Sequence, residues 1–327
     1  MTKTIRTLLS FGAASALMLT GMNPVLAASK WPDKPIRLLV GFAPGGPTDD
    51  VARILSVQMS KQLGQTVVVE NKAGAAGNIA AAWLVQAPAD GYTLLYNTSS
   101  IVIAPWVYKK VGFDPLKDFA PVGLTAAVPL VLAINAKVDA KTPKDLIALL
   151  KASPGTYNYA SSGTGAIEHL TAAHILSAAG GEAVHVPYKG TAPAQVDLIA
   201  GATQFTTTTL NTAISPVKAG SLKALAVTSK TRSKVMPDVP TISESLIPDF
   251  ESLAWQGIVA PAGTPPEVIK VLNEAINKAL KSEAVSEKLE KQGTIVLGGS
   301  AEHYKAYIKS EYVRWGEVVK AANVSIQ

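Results

Sequence analysis

Short apolar runs rich in β-branched residues alternate with segments whose apolar positions recur at helical spacing along most of the chain. That alternation is the pattern of an α/β protein with parallel strands. Strands are predicted at Ile36–Val40, Thr66–Glu70, Tyr92–Tyr96, Val131–Ile134, Tyr157–Ala160, Ala183–Pro187, Ala224–Thr228 and Ile258–Ala260. The run Thr206–Thr209 suits a strand or its end, since threonine is β-branched. Thr142-Pro143-Lys144-Asp145 supplies a hydroxyl cap, a first-turn proline and an acid at the third position, and so marks a helix start. Thr264-Pro265-Pro266-Glu267 repeats that arrangement ahead of Val268, Leu272, Ala275, Ile276 and Ala279 at helical spacing. Ser300 precedes a helix with Tyr304, Tyr307, Ile308, Tyr312 and Trp315 on one face, a stripe that belongs in a core.

Two extended, proline-marked passages, Phe119 to Pro129 and Trp255 to Pro261, interrupt the alternation and are expected to cross between lobes. They divide the chain into lobe 1 (28–128 and 255–327) and lobe 2 (129–254). Residues 1–27 stand apart. Lys3 and Arg6 precede an apolar run from Leu8 to Leu19, and Val25-Leu26-Ala27 places small residues before a cleavage point, the layout of a secretory signal peptide. The run is about a dozen residues, against about twenty for a membrane span. An exported, soluble protein is expected.

The 327 residues are 48% hydrophobic and 17% charged, a balance that excludes disorder and coiled coil. The absence of cysteine removes disulfides, thiol nucleophiles and cysteine-ligated metals. The net charge of +6 is spread thinly, and 6% aromatics give no stacking platform, so nucleic acid is not expected as a partner.

Three loops between strand and helix carry the candidate chemistry. In Gly41-Phe42-Ala43-Pro44-Gly45-Gly46-Pro47 the glycines expose backbone amides and Pro47 opens a helix, whose N-terminus favours an anion. Asp49 and Asp50 follow, and they either stabilise that helix through its dipole or hold a ligand ammonium or an ordered water. Ser161-Ser162-Gly163-Thr164-Gly165-Ala166 has the same build, with hydroxyl donors added. His169, one turn further on, either faces a ligand or supports the loop. Tyr188-Lys189-Gly190-Thr191 follows another strand. Ligands of parallel α/β sheets gather at the carboxyl ends of strands, where all three loops fall. Micromolar binding needs about 8 kcal/mol and a hydrogen bond to a charged group nets about 1.5–3, so one loop falls short. Two loops on opposite lobes reach that range.

Enzyme signatures are missing. There is no G-x-S-x-G elbow, and the glycine loops match neither G-x-G-x-x-G nor the Walker pattern. His169 and His174 are five apart, the wrong spacing for a helical zinc pair, so neither metal nor cofactor is expected.

In order and spacing, a set of segments resembles the Bug-type receptors, the periplasmic solute-binding subunits of tripartite tricarboxylate transporters, across nearly the whole chain after residue 30. The segments are Pro44-Gly45-Gly46, Asp90-Gly91-Tyr92-Thr93-Leu94-Leu95, Asp114-Pro115-Leu116-Lys117-Asp118-Phe119, Ser162-Gly163-Thr164-Gly165 with His169-Leu170, His185-Val186-Pro187-Tyr188-Lys189-Gly190, Pro237-Asp238-Val239-Pro240-Thr241 and Ala260-Pro261-Ala262-Gly263-Thr264-Pro265. The resemblance implies a two-lobe periplasmic binding protein fold, type II-like, with a ligand cleft between the lobes. It also implies a non-enzymatic, monomeric receptor that captures a small carboxylate (a di- or tricarboxylate, or an aromatic acid) and delivers it to membrane subunits. Carried over by position, ligand contacts come from Phe42, Ala43, Pro44, Gly45, Gly46 and Asp49 in lobe 1, with Thr98 and Ser99 after the Tyr92–Tyr96 strand. In lobe 2 they come from Ser162, Gly163, Thr164, Gly165, His169, Tyr188, Lys189, Gly190 and Thr191. Thr208 stands where the family commonly has an acid, and Ala166 where a serine is frequent. Lys72-Ala73-Gly74-Ala75-Ala76-Gly77 departs from the usual Arg-Pro-Gly-Ala-Gly-Gly. Two other classes remain open on the residues alone: a secreted α/β enzyme acting on a carboxylate, and a ligand-sensing module for a membrane signalling partner.

Overall fold

Ten strands in chain order carry the architecture of the computed structural model, which describes residues 31–322 and 324. They are β1 (Ile36–Val40), β2 (Val67–Asn71), β3 (Thr93–Thr98), β4 (Phe119–Asn135), β5 (Asn158–Ser161), β6 (Val184–Pro187), β7 (Phe205–Thr209), β8 (Leu222–Val227), β9 (Leu253–Pro261) and β10 (Ile295–Val296). The expected signal peptide, 1–27, lies outside the described residues. Among the described residues no helix is long and apolar enough to cross a membrane.

The strands form two parallel trios, β2-β1-β3 and β7-β5-β6, each with helical crossovers. Parallel pairing buries both faces of the middle strand, which is why β1 reads Ile-Arg-Leu-Leu-Val with only Arg37 less than fully buried. Between the trios the pairing is antiparallel, which the reading of parallel strands did not include: β3 pairs β9, β9 pairs β4, and β4 pairs both β7 and β8. The passage from Phe119 and the strand at Val131–Ile134 are one element, the 17-residue β4. It pairs with β9 through Pro129 and with β7 from Leu130 onward. Proline removes a ladder donor, and β4 absorbs Pro121 at a register shift between Pro121 and Gly123.

Local signals explain most helix ends. Thr142 and Asp145 form a reciprocal capping box ahead of the Pro143–Ala152 helix, and Ser300 caps the Ala301–Ala321 helix by accepting from the His303 N–H. The second threonine–proline start behaves differently. Pro265 itself occupies the cap of the Pro266–Lys281 helix, and Thr264 donates its hydroxyl to the Pro261 carbonyl. Two consecutive prolines move the helix start one residue beyond the hydroxyl's reach. The apolar stripe from Val268 to Ala279 is buried as its spacing predicts. The largest fully buried side chains, Trp255, Trp315, Tyr96 and Tyr304, cluster where β9 meets the Ala301–Ala321 helix. All of this belongs to one compact unit beginning at Pro32.

Candidate functional site

At the carboxyl ends of β1, β2 and β3 the chain makes three turns around a small pocket lined by Phe42, Gly77, Asn78, Thr98 and Ser100. Two glycines let these turns meet. A Cβ on Gly41 would lie 2.5 Å from the Gly77 Cα, so only a hydrogen fits there. Beneath the first turn Asp49, 2% exposed, accepts from the Gly45 N–H (2.9 Å), Arg53 Nε (2.8 Å) and Asn71 Nδ2 (2.8 Å). Asn71 Nδ2 also donates to the Phe42 carbonyl (3.0 Å). Burial raises the Asp49 carboxyl, but the bonds from Arg53, Gly45 and Asn71 outweigh it and hold the group below the usual carboxylate range. Asn78 opens the Asn78–Val85 helix, whose cap residue, Gly77, offers no side-chain bond. Its Oδ1 is buried with no hydrogen-bond partner, although the residue is only 6% exposed.

The second trio builds a matching small recess lined by Ser162, Glu168, Thr191, Thr206, Thr208 and their neighbours. Its wall is the loop after β5. Two stacked histidine rings, His169 and His185, lie 3.7 Å apart and almost parallel beneath that loop. The Gly165 N–H donates to His169 Nδ1 (3.0 Å), which fixes the His169 proton on Nε2. Ser161 Oγ lies 2.7 Å from His185 Nε2 and donates to the Gly163 carbonyl at 3.0 Å, so His185 is the donor to Ser161. Burial, and for His169 also the neighbouring ring, pushes the two imidazoles down to about 3 and about 4. Both are neutral supports. The Tyr188–Thr191 turn is pinned to the same loop, with Tyr188 N–H donating to the Ser161 carbonyl and Gly190 N–H to the Ser162 carbonyl, each at 3.0 Å. The Tyr188 hydroxyl is committed to Asp197 Oδ2 at 2.7 Å.

The predicted residues therefore separate by position. Phe42 and Thr98 line the first pocket, and Ser162, Thr191 and Thr208 line the second. Ala43, Pro44 and Gly45 form an exposed rim beside half-buried Gly46, and Thr164 is half-buried on the second loop. Asp49, His169, Ser99 and the amides of Gly45 and Gly165 are engaged in holding the loops. Ser99 is buried and ties its N–H to the Trp255 carbonyl at 3.0 Å. Lys189 is exposed at the edge. Asn78 and Glu168 are among the pocket-lining residues that the sequence does not single out. Asn78 follows the glycine-rich 74–77 turn, which has the same strand–turn–helix build as the others and carried that signal. Glu168 reads as an ordinary first-turn helix acid. Among the described residues no group of three or more histidines and acids is placed to hold a metal.

The sequence pattern of the tripartite tricarboxylate transporter family receptors matches residues 51–324. The protein BugT of Bordetella pertussis is 36% identical over 309 residues, covering 94% of this chain and 95% of that protein. The chain belongs to this receptor family. Receptors of this kind are periplasmic binding proteins and not enzymes, and this one has their two-lobe α/β fold. The R. palustris protein Rpa4515, solved with adipate, superposes on this receptor with a TM-score of 0.84 at 34% identity, covering 90% of this chain and 100% of that one. MatC (Rpa3494) from Rhodopseudomonas palustris, solved with bound malate, gives 0.79 at 30% identity over 88% of this chain and 99% of that one.

Proposed function

We propose that this receptor captures a small carboxylate in the periplasm, between the loops of its two strand trios, and hands it to the membrane subunits of a tripartite transporter. The observation that carries the reading is a pair of pockets at strand carboxyl ends, one per trio, each holding a buried polar atom without a partner: Asn78 Oδ1 in one, Thr208 Oγ1 in the other. A buried unpaired polar atom costs about 1–3 kcal/mol, which the Thr208 hydroxyl recovers by donating to a ligand carboxylate oxygen and the Asn78 oxygen by accepting from a ligand donor such as a hydroxyl. The adipate and malate held by the two relatives fit this chemistry. Contacts from Phe42, Thr98, Thr164, Ser162, Thr191 and Thr208 are proposed, with Asp49 and His169 as positioning residues. The switch in β4 pairing between Pro129 and Leu130 supports lobes of 28–128 with 255–327, and 129–254. Residues 1–27 are proposed as a cleaved export signal and the receptor as a monomer.

A thermal-shift screen of the purified receptor against mono-, di- and tricarboxylates, aromatic acids and amino acids tests the reading. A bound carboxylate at 100 times its Kd stabilises by about 2.7 kcal/mol. A melting point raised only by neutral sugars or by metal cations overturns it.

A further inference from the structure

Glu168 is a buried acid that nothing in the protein neutralises. It is 8% exposed, lines the second recess, and its Oε2 accepts from the Ser162 hydroxyl at 2.7 Å. Among the described residues it has no ion-pair partner. The recess it lines holds no cation: its other polar residues are serines and threonines and the Gln195 amide, and among them Thr208, 6% exposed, has its oxygen unpartnered. A first-turn acid stabilises its helix by about 0.3–1 kcal/mol and does so on the surface as well as inside. Burial therefore exceeds what that role requires. Desolvation pushes the carboxyl up, since an ion there lacks a counter-charge.

We propose that Glu168 makes this recess a subsite for a protonated amine, so that the receptor takes a carboxylate bearing an ammonium group in preference to the matched dicarboxylate. The inference rests on the carboxylate reading above. The ligand carboxylate takes the amide and hydroxyl donors of the loops, and its ammonium supplies the missing counter-charge to Glu168 and a donor to the Thr208 oxygen. A second ligand carboxylate placed there meets a like charge, or forces Glu168 to hold its proton.

Calorimetric titration with matched pairs of equal chain length tests this: 4-aminobutanoate against succinate, 5-aminopentanoate against glutarate, 6-aminohexanoate against adipate. In the wild-type receptor the better-binding pair is expected to favour the amino acid at least tenfold. Glu168→Gln is expected to bring that ratio to unity or reverse it, a change of preference that a purely structural Glu168 would not produce. Equal or tighter binding of the dicarboxylate by the wild type overturns the proposal and leaves the carboxylate receptor standing, and this holds even where the variant fails to fold. Binding of no carboxylate in either this set or the thermal-shift screen overturns both.

Discussion

Gly41 and Gly46 share one loop but answer to different constraints. Gly46 has φ −83°, and a Cβ there meets only the Ala43 carbonyl at 3.6 Å, an ordinary contact. Gly41 lies against the Gly77 backbone, where no side-chain rotation relieves a clash. Gly46→Ala is expected to leave stability within about 0.5 kcal/mol, while Gly41→Ala costs about 1–3 kcal/mol and displaces the first pocket. Urea denaturation of the two variants checks this, and equal losses would contradict it. The histidine pair gives a second residue-scale expectation. Unfolded histidines titrate near 6.5, whereas the folded pair resists protons until about pH 4 and below. Between those values the unfolded chain binds more protons, so stability falls as pH falls, by about 2 kcal/mol per histidine at pH 5. His185→Gln is expected to flatten that slope in denaturation curves recorded from pH 7 to 4.5. The glycines, serines and threonines of the loops were legible in the chain because their types announce turns and donors. Asn78 and Glu168 were not, since what marks each is a partner that tertiary neighbours fail to supply.

The elements that join the trios are held by one buried acid. Glu311, on the Ala301–Ala321 helix, accepts from the indoles of Trp255 on β9 (2.8 Å) and Trp315 (3.1 Å), and Arg314 binds both its oxygens at 2.7 and 2.8 Å. Removing it strands two buried donors, each worth about 1–3 kcal/mol. Glu311→Ala is expected to cost about 3 kcal/mol in urea denaturation, with Glu311→Gln milder because it keeps one acceptor. A loss below about 1 kcal/mol would show that water satisfies the indoles. At this scale the parallel trios were legible, because a strand buried on both faces spells itself as an aliphatic run between helix-period segments. The 17-residue β4 was not, because its prolines at 121 and 129 read as breaks. Pro121 falls at a register shift against β9 and Pro129 at the point where β4 passes from β9 to β7, facts of the partner strands rather than of β4 itself.

One close contact joins the two halves of the proposed site. Gly165, on the loop after β5, packs on Val107 at the end of the Ser100–Val107 helix, and a Cβ there would fall 2.6 Å from Val107 Cγ1. The first residues of that same helix line the first pocket, and eight residues of helix span about 12 Å. One short element therefore touches both halves of the proposed site. A ligand reaching both pockets favours the arrangement in which this contact is made, by as much as its affinity differs between the closed and open forms. Gly165 also has φ +78°, which an L side chain adopts only with strain. Gly165→Ala is thus opposed by its own backbone and by the facing helix. It is expected to weaken carboxylate binding at least tenfold, about 1.4 kcal/mol. Ligand is expected to lower the radius of gyration of the wild type in small-angle scattering, and to lower that of the variant less. Val107→Ala in the same background removes the facing methyls and leaves the φ strain, so recovery of part of the lost affinity separates the two causes. If Gly165→Ala binds as tightly as the wild type, the contact is incidental and closure is governed by β4 and β9 alone.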